Sequence, residues 1–140
     1  MYLLDANVVS ELRRPRPHGA VLRWIRDVSA DSLFISAVTV GEIQAGIERT
    51  RRQDAAKAIE LQDWLRRIEE TYQVLPMDGA CFREWARLMD SRSDTLILDA
   101  MIAAVATVNR LTVVTRNLRD FDAFAVPTLN PFATSAGDDG

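Results

Sequence analysis

The sequence predicts an α/β fold with a mainly parallel central sheet in one domain. Three observations carry this reading. Short apolar runs at Tyr2–Leu4 and Leu33–Ile35 and a β-branched one at Leu111–Thr115 alternate with stretches of helical periodicity, as strand–helix–strand units do. The 140 residues are 48% hydrophobic, enough to bury one core. No internal repeat, linker or shift of composition marks a second domain.

Tyr2-Leu3-Leu4 ends at Asp5-Ala6-Asn7 and reads as a buried strand entering a loop or a helix start. Pro15 and Pro17 interrupt the chain, after which Val21, Leu22, Ile25 and Val28 form a helical stripe. Beyond the strand at Leu33–Ile35, Val40, Ile43 and Ile47 mark a helix expected to begin near Thr39. Residues 53–71 are strongly helical, with Ile59, Leu61, Trp64, Leu65, Ile68 and Tyr72 along one side. Val74-Leu75 is a short strand stopped by Pro76, and Asp78 is the expected N-cap of a helix carrying Phe82, Trp85, Ala86 and Met89. A polar break at Ser91–Asp94 precedes an apolar helix over Thr95–Val108. Leu111–Thr115 is a β-branched strand. The small, polar segment Ala133–Gly140 is expected to be disordered.

The formal net charge of −3 argues against a protein that binds nucleic acid through an overall basic surface. Any such contact must come from a local patch or from metal ions. The single cysteine, Cys81, excludes a disulfide framework and a cysteine-rich zinc site, and a reducing cytoplasm is the expected setting. No basic leader opens the chain. The longest apolar stretch, Ala100–Val108, is too short to span a bilayer, so no membrane association is expected. His18 is the only histidine, which excludes a ribonuclease working through a histidine pair. No G-x-x-x-x-G-K-[ST] phosphate loop is present. Lys57 is the only lysine beside sixteen arginines; arginine forks suit phosphate, although a GC-rich genome explains the bias more simply.

Several acids stand where burial should disfavour them. Asp5 closes an apolar strand, and Asp99 interrupts the run Leu96–Ala104. A lone carboxylate in such surroundings is costly unless it is paired, protonated or bound to a cation. Asn117 and Asp120 follow the last β-branched strand, and in open α/β sheets ligands bind beyond the carboxyl ends of the strands. Each residue also has a plainer reading. Asp5 is as readily a helix N-cap as a ligand. Thr39-Val40-Gly41-Glu42 fits a capping box, Asn117 and Asp120 suit turns, and a buried arginine partner accounts for Asp99. If Asp5, Glu42 and Asp99 converge, their repulsion raises their pKa values unless a cation intervenes. Mg²⁺, with hard oxygen ligands and several retained waters, is the natural choice.

In this order the motifs resemble a known family. Tyr2–Ser10, reading YLLDANVVS, resembles the opening motif of PIN domains of the VapC and FitB kind. Ile35–Ile43 is similar to the second motif, with its glutamate, and Leu98–Ala103 to the third, with its second aspartate. Val114–Phe121 resembles the fourth, and Asn130-Pro131-Phe132 the usual ending. The resemblance covers residues 1–132, with 133–140 as a tail. It implies a single PIN-like domain, an α/β/α sandwich with a parallel sheet. It also implies RNA cleavage dependent on Mg²⁺, for which Mn²⁺ can substitute. By matched position, Asp5 and Asp99 would be the main metal ligands, Glu42 would complete the acidic site, and Asn7 and Thr115 would support it. Many relatives carry aspartate where this chain has Asn117, so either Asp120 compensates or a single ion is held firmly.

The same resemblance implies the toxin of a type II toxin–antitoxin pair. Its partners would be a cognate antitoxin lying in a groove near the acids, RNA as substrate, operator DNA reached only through the antitoxin, and a second copy in a homodimer. Arg13, Arg14 and Arg49 are candidate RNA contacts, and are equally readable as solvated surface charges. Trp24, Trp64 and Trp85 are expected in core or dimer packing. Three other readings stay open: a PIN nuclease of RNA processing, a non-catalytic antitoxin-binding subunit, and a phosphatase using Asp5 as nucleophile.

Overall fold

The computed structural model describes residues 1–133. Tyr2–Leu4 (β1) leads into the short helix Ala6–Glu11 (α1), and Gly19–Asp27 (α2) follows. Leu33–Ser36 (β2), Ala37–Arg51 (α3), Ala55–Thr71 (α4) and Gln73–Leu75 (β3) come next. Gly79–Met89 (α5), Ile97–Asn109 (α6), Thr112–Val114 (β4) and Thr128–Leu129 (β5) complete the order, with short 3-10 turns between them. The strands run in the order β3-β2-β1-β4-β5, and every pairing is parallel. The mainly parallel sheet expected from the sequence is therefore wholly parallel.

The alternation of side chains along each strand builds the three layers. Leu3 and Val113 enter one core with Ala103, Ala106 and Phe121 on the α5–α6 side. Their neighbours Leu4 and Val114 enter the opposite core with Val8, Val21, Leu33 and Ile35. Both faces are covered, which is why these strands read as unbroken apolar runs rather than as alternating ones. Helix α6 is buried from Ala100 through Ala106 except for Met101. It ends at Arg110 in the left-handed conformation, with φ 58°. Among the described residues, no helix is long and apolar enough to cross a membrane.

Two differences from the sequence reading bear on the site. Helix α3 begins at Ala37 and not near Thr39, because the Ser36 hydroxyl caps it by accepting from the Val38 amide at 3.0 Å. Thr39 and Glu42 thus lie inside the helix and form no capping box; Thr39 is fully buried. Strand β5, two residues long and directly after Pro127, is too short to carry a periodic signal. The tail expected over 133–140 lies, beyond Ala133, outside the described residues.

A buried acid shapes the loop after α1. Glu11 is 6% exposed; its Oε2 accepts from the His18 amide at 2.8 Å, and its Oε1 pairs with Arg14 at 3.5 Å. Losing this carboxylate strands a buried donor, which costs about 1–3 kcal/mol. Glu11→Ala is therefore expected to lower Tm by roughly 3–10 °C in a thermal melt, and an unchanged Tm would refute that role.

Candidate active site

The strand order reverses around β1, with β2 on one side and β4 on the other. The crevice beyond the carboxyl ends of two such strands is where an α/β sheet binds ligands. Asp5 stands there at the end of β1 and also caps α1, so its carboxylate is fixed from several directions. Oδ1 accepts from the Ala6 amide at 2.9 Å. Oδ2 accepts from the Thr115 hydroxyl at 2.8 Å and from Asn7 Nδ2 at 3.2 Å. Thr115, fully buried just beyond β4, takes further donations from Asn7 Nδ2 at 3.2 Å and the Asn117 amide at 3.0 Å. The Arg116 amide closes the network by donating to Asn7 Oδ1 at 3.1 Å. Asn7 and Thr115 thus tie the ends of β1 and β4 together around one carboxylate.

The other acids come from separate helices. Glu42 is half-buried on α3, and Asp99 is half-buried in the first turn of α6. Burial, then the charges of Asp5 and Asp99, push Glu42 up to about 7. Burial, then the charges of Asp120 and Asp5, push Asp99 up to about 6. Asp5 is also raised; burial drives it, the Thr115 hydroxyl and the Ala6 amide oppose it, and the charge of Asp120 adds to it. Three acids from three parts of the chain are thus raised together, and Asp120 adds its charge to two of them. Asp120 contributes charge to this cluster, whereas Asn117 contributes its main-chain amide to Thr115.

The donors are all hard oxygens, and the mutual repulsion is what a cation relieves. Among the described residues, no group of three or more histidine, cysteine or acidic side chains is already gathered into a metal-holding cluster. Asp5 spends much of its acceptor capacity on protein donors. This set fits an ion that takes few protein ligands and keeps several waters, as Mg²⁺ does.

The raised acids set a pH dependence. Between the ordinary carboxylate range and these higher values, the folded chain holds more protons than the unfolded one, so stability falls as pH rises. The contribution of Glu42 is complete below about 4.5 and is lost as pH climbs through about 7. Glu42 is half-exposed, and solvent screening reduces its effect to roughly 1 kcal/mol. In chelator, Glu42→Gln is expected to melt about 3 °C above wild type at pH 8 and level with it at pH 4.5. A gap that does not widen with pH would contradict the coupling.

The candidate RNA contacts differ in their surroundings. Arg14 pairs with Glu11, and Arg49 is exposed near the end of α3. Arg13 sits on a cleft of about 340 Å³ between α1, α3 and α4 that also meets Glu42. Its walls are Ile43, Gly46, Ile47, Leu61 and Trp64. Trp24 makes an edge contact with Tyr2 at 5.0 Å, and Trp85 donates to the Ile97 carbonyl at 3.3 Å. The sequence reading missed Arg116, Arg119 and Asn130, which wall an open basin with Asn117, Leu118 and Asp120. Their signal was their position, on the same loops at the carboxyl edge of the sheet.

Comparison with known proteins agrees with this fold. Residues 2–127 match the PIN domain. The chain is 37% identical to the plasmid stability protein StbB of Pseudomonas syringae pv. tomato, over 94% of this chain and 99% of that one. It is 33% identical to the VapC ribonuclease Y4jK of Sinorhizobium fredii, over 94% and 98%. It is 28% identical to Toxin FitB of Neisseria gonorrhoeae, over 94% and 99%. The crystal structure of FitAcB from that organism superposes with a TM-score of 0.83 and 30% identity, covering 95% of this chain and 99% of that one.

Proposed function

This chain belongs to the PIN-domain family, beside relatives named as a VapC ribonuclease and Toxin FitB, and we propose that it is a Mg²⁺-dependent endoribonuclease serving as the toxin of a type II toxin–antitoxin pair. The observation that carries this reading is the gathering of acids around Asp5, which is hydrogen-bonded in place at the carboxyl end of β1, with Glu42 and Asp99 raised by burial and by neighbouring carboxylate charges. Asp5 and Asp99 would hold the ion and Glu42 would complete the site, with Mn²⁺ able to substitute. When bound, the ion supplies positive charge against the phosphate and makes water more acidic. Thr115 and Asn7 hold Asp5 in one orientation. Glu42 would act there by ligation or by orienting the water.

The cleft beside Glu42 supports the antitoxin partner. Its apolar walls suit the aliphatic side chains of a peptide segment, and its acidic end suits a basic side chain from that peptide. Operator DNA would be met through the antitoxin, in keeping with a net charge of −3. Phe82 on α5 and Leu98 on α6 are 46% and 47% exposed and offer apolar surface for the second copy of a homodimer. The buried single cysteine, Cys81, suits a reducing cytoplasm.

The absence of a ready cluster of three ligands among the described residues favours one second reading, a non-catalytic subunit whose acids pair with antitoxin arginines. Mild induction in a bacterial host separates the two. Wild type is expected to arrest growth with loss of RNA, while Asp5→Ala and Asp99→Asn are harmless. Equal toxicity of all three would defeat the catalytic reading.

A further inference from the structure

We propose that the basin walled by Arg116, Asn117, Arg119 and Asn130 is a phosphate subsite that holds the nucleotide next to the cleaved bond of a single-stranded RNA. The inference rests on the nuclease reading above and extends it to how an acidic protein retains a polyanion. The basin measures about 430 Å³ and includes Asp120 in its wall. The Arg116 amide donates to Asn7 and the Asn117 amide to Thr115, and Asn7 and Thr115 both donate to Asp5, so the basin adjoins the acid cluster. A strand with one phosphodiester at Asp5 and Asp99 brings its neighbouring phosphate here.

The donors are in place. Arg116 and Arg119 are exposed, and neither forms an ion pair among the described residues. Arg116 is held at both ends: its amide donates to Asn7 Oδ1 at 3.1 Å, and its guanidinium lies 4.4 Å from the centroid of the Phe132 ring. Stacking on the ring leaves the edge of the fork free, and that edge binds a phosphate with two parallel hydrogen bonds. Asn130 Oδ1 accepts from the Phe132 amide at 2.9 Å. This fixes the asparagine and leaves its Nδ2 donors for a ligand. The ring, the asparagine and the arginine thus form one braced unit beside the site.

The test is RNA cleavage in Mg²⁺ over a range of KCl, supplemented by filter binding of the same RNA in chelator. Arg116→Ala/Arg119→Ala is expected to raise KM about tenfold and to leave kcat within about threefold. The slope of log affinity against log salt should fall by about 0.7 for each arginine that meets a phosphate. Arg116→Lys/Arg119→Lys should restore the salt slope and only part of the affinity, because lysine lacks the fork. Wild-type KM and slope in the double alanine variant, with cleavage intact, overturn the subsite alone. A wild type that neither cleaves nor retains RNA overturns the nuclease reading and the subsite together.

Discussion

Replacing Asp99 by asparagine is expected to reduce RNA cleavage by at least about 1,000-fold and to make the metal-free protein more stable. The two effects have one cause. Asp99 is half-buried and its carboxyl is pushed up to about 6 by burial and by the charges of Asp120 and Asp5. Above that pH its ionised form costs the empty site free energy, and the neutral, isosteric amide removes that cost without opening a cavity. The same charge is what an ion needs. Metal assistance is worth several kcal/mol to a phosphate transition state, and each 1.36 kcal/mol is a factor of ten in rate, so about 1,000-fold is a minimum for losing a main ligand. A loss of activity with a rise in Tm at pH 8 separates a functional acid from a structural one. A variant that loses activity and melts lower than wild type would assign Asp99 to the scaffold.

The second large effect is expected at Gly46, on the floor of the cleft between α1, α3 and α4. A Cβ there meets only Arg49 Nη2 at 3.7 Å, an ordinary contact. The glycine therefore leaves room that the fold itself does not require, and the groove includes it in its lining. Gly46→Trp keeps α3 intact and fills the cleft with a ring. Hot-spot contacts at an interface centre cost 2 kcal/mol or more when lost, so antitoxin affinity should fall by roughly 30-fold or beyond. Gly46 lies one helical turn from Glu42 and shares the cleft with it, so cleavage without antitoxin should fall too, by a smaller factor than the affinity, and a host carrying the pair should arrest despite the antitoxin. Silencing as complete as in wild type would show that the antitoxin binds elsewhere.

The parts of the fold legible in the sequence were those buried on two sides. Leu3-Leu4 and Val113-Val114 feed alternate faces of a covered sheet, so their strands read as continuous apolar runs. Helix α6 was legible for the same reason, and that made Asp99 conspicuous within it. Glu42 was harder to read. Thr39 and Glu42 imitate a capping box, and only the cap at Ser36, three residues earlier, removes that explanation. Asp5 is at once an N-cap and a member of the acid cluster, so its two readings were never exclusive. Asn117 illustrates the opposite limit. Motif position put it in the acid series, while the charge acting on Asp5 and Asp99 comes from Asp120, because the 3-10 turn Leu118–Phe124 brings that side chain to the cluster. Arg116 and Asn130 are 14 residues apart in sequence and meet through Phe132; no periodicity records a contact of that kind. Glu11 was equally hidden, since its partner is the amide of His18 across a loop broken by two prolines.

A divalent cation that relieves the charge crowding Asp5, Glu42 and Asp99 is the central requirement of the proposed chemistry. Titration calorimetry of the purified protein with Mn²⁺ at pH 8 measures this directly. Saturable binding in wild type, weakened at least about tenfold in Asp5→Asn and in Asp99→Asn, is the predicted result. No saturable heat in wild type, or equal affinity in all three proteins, would contradict it.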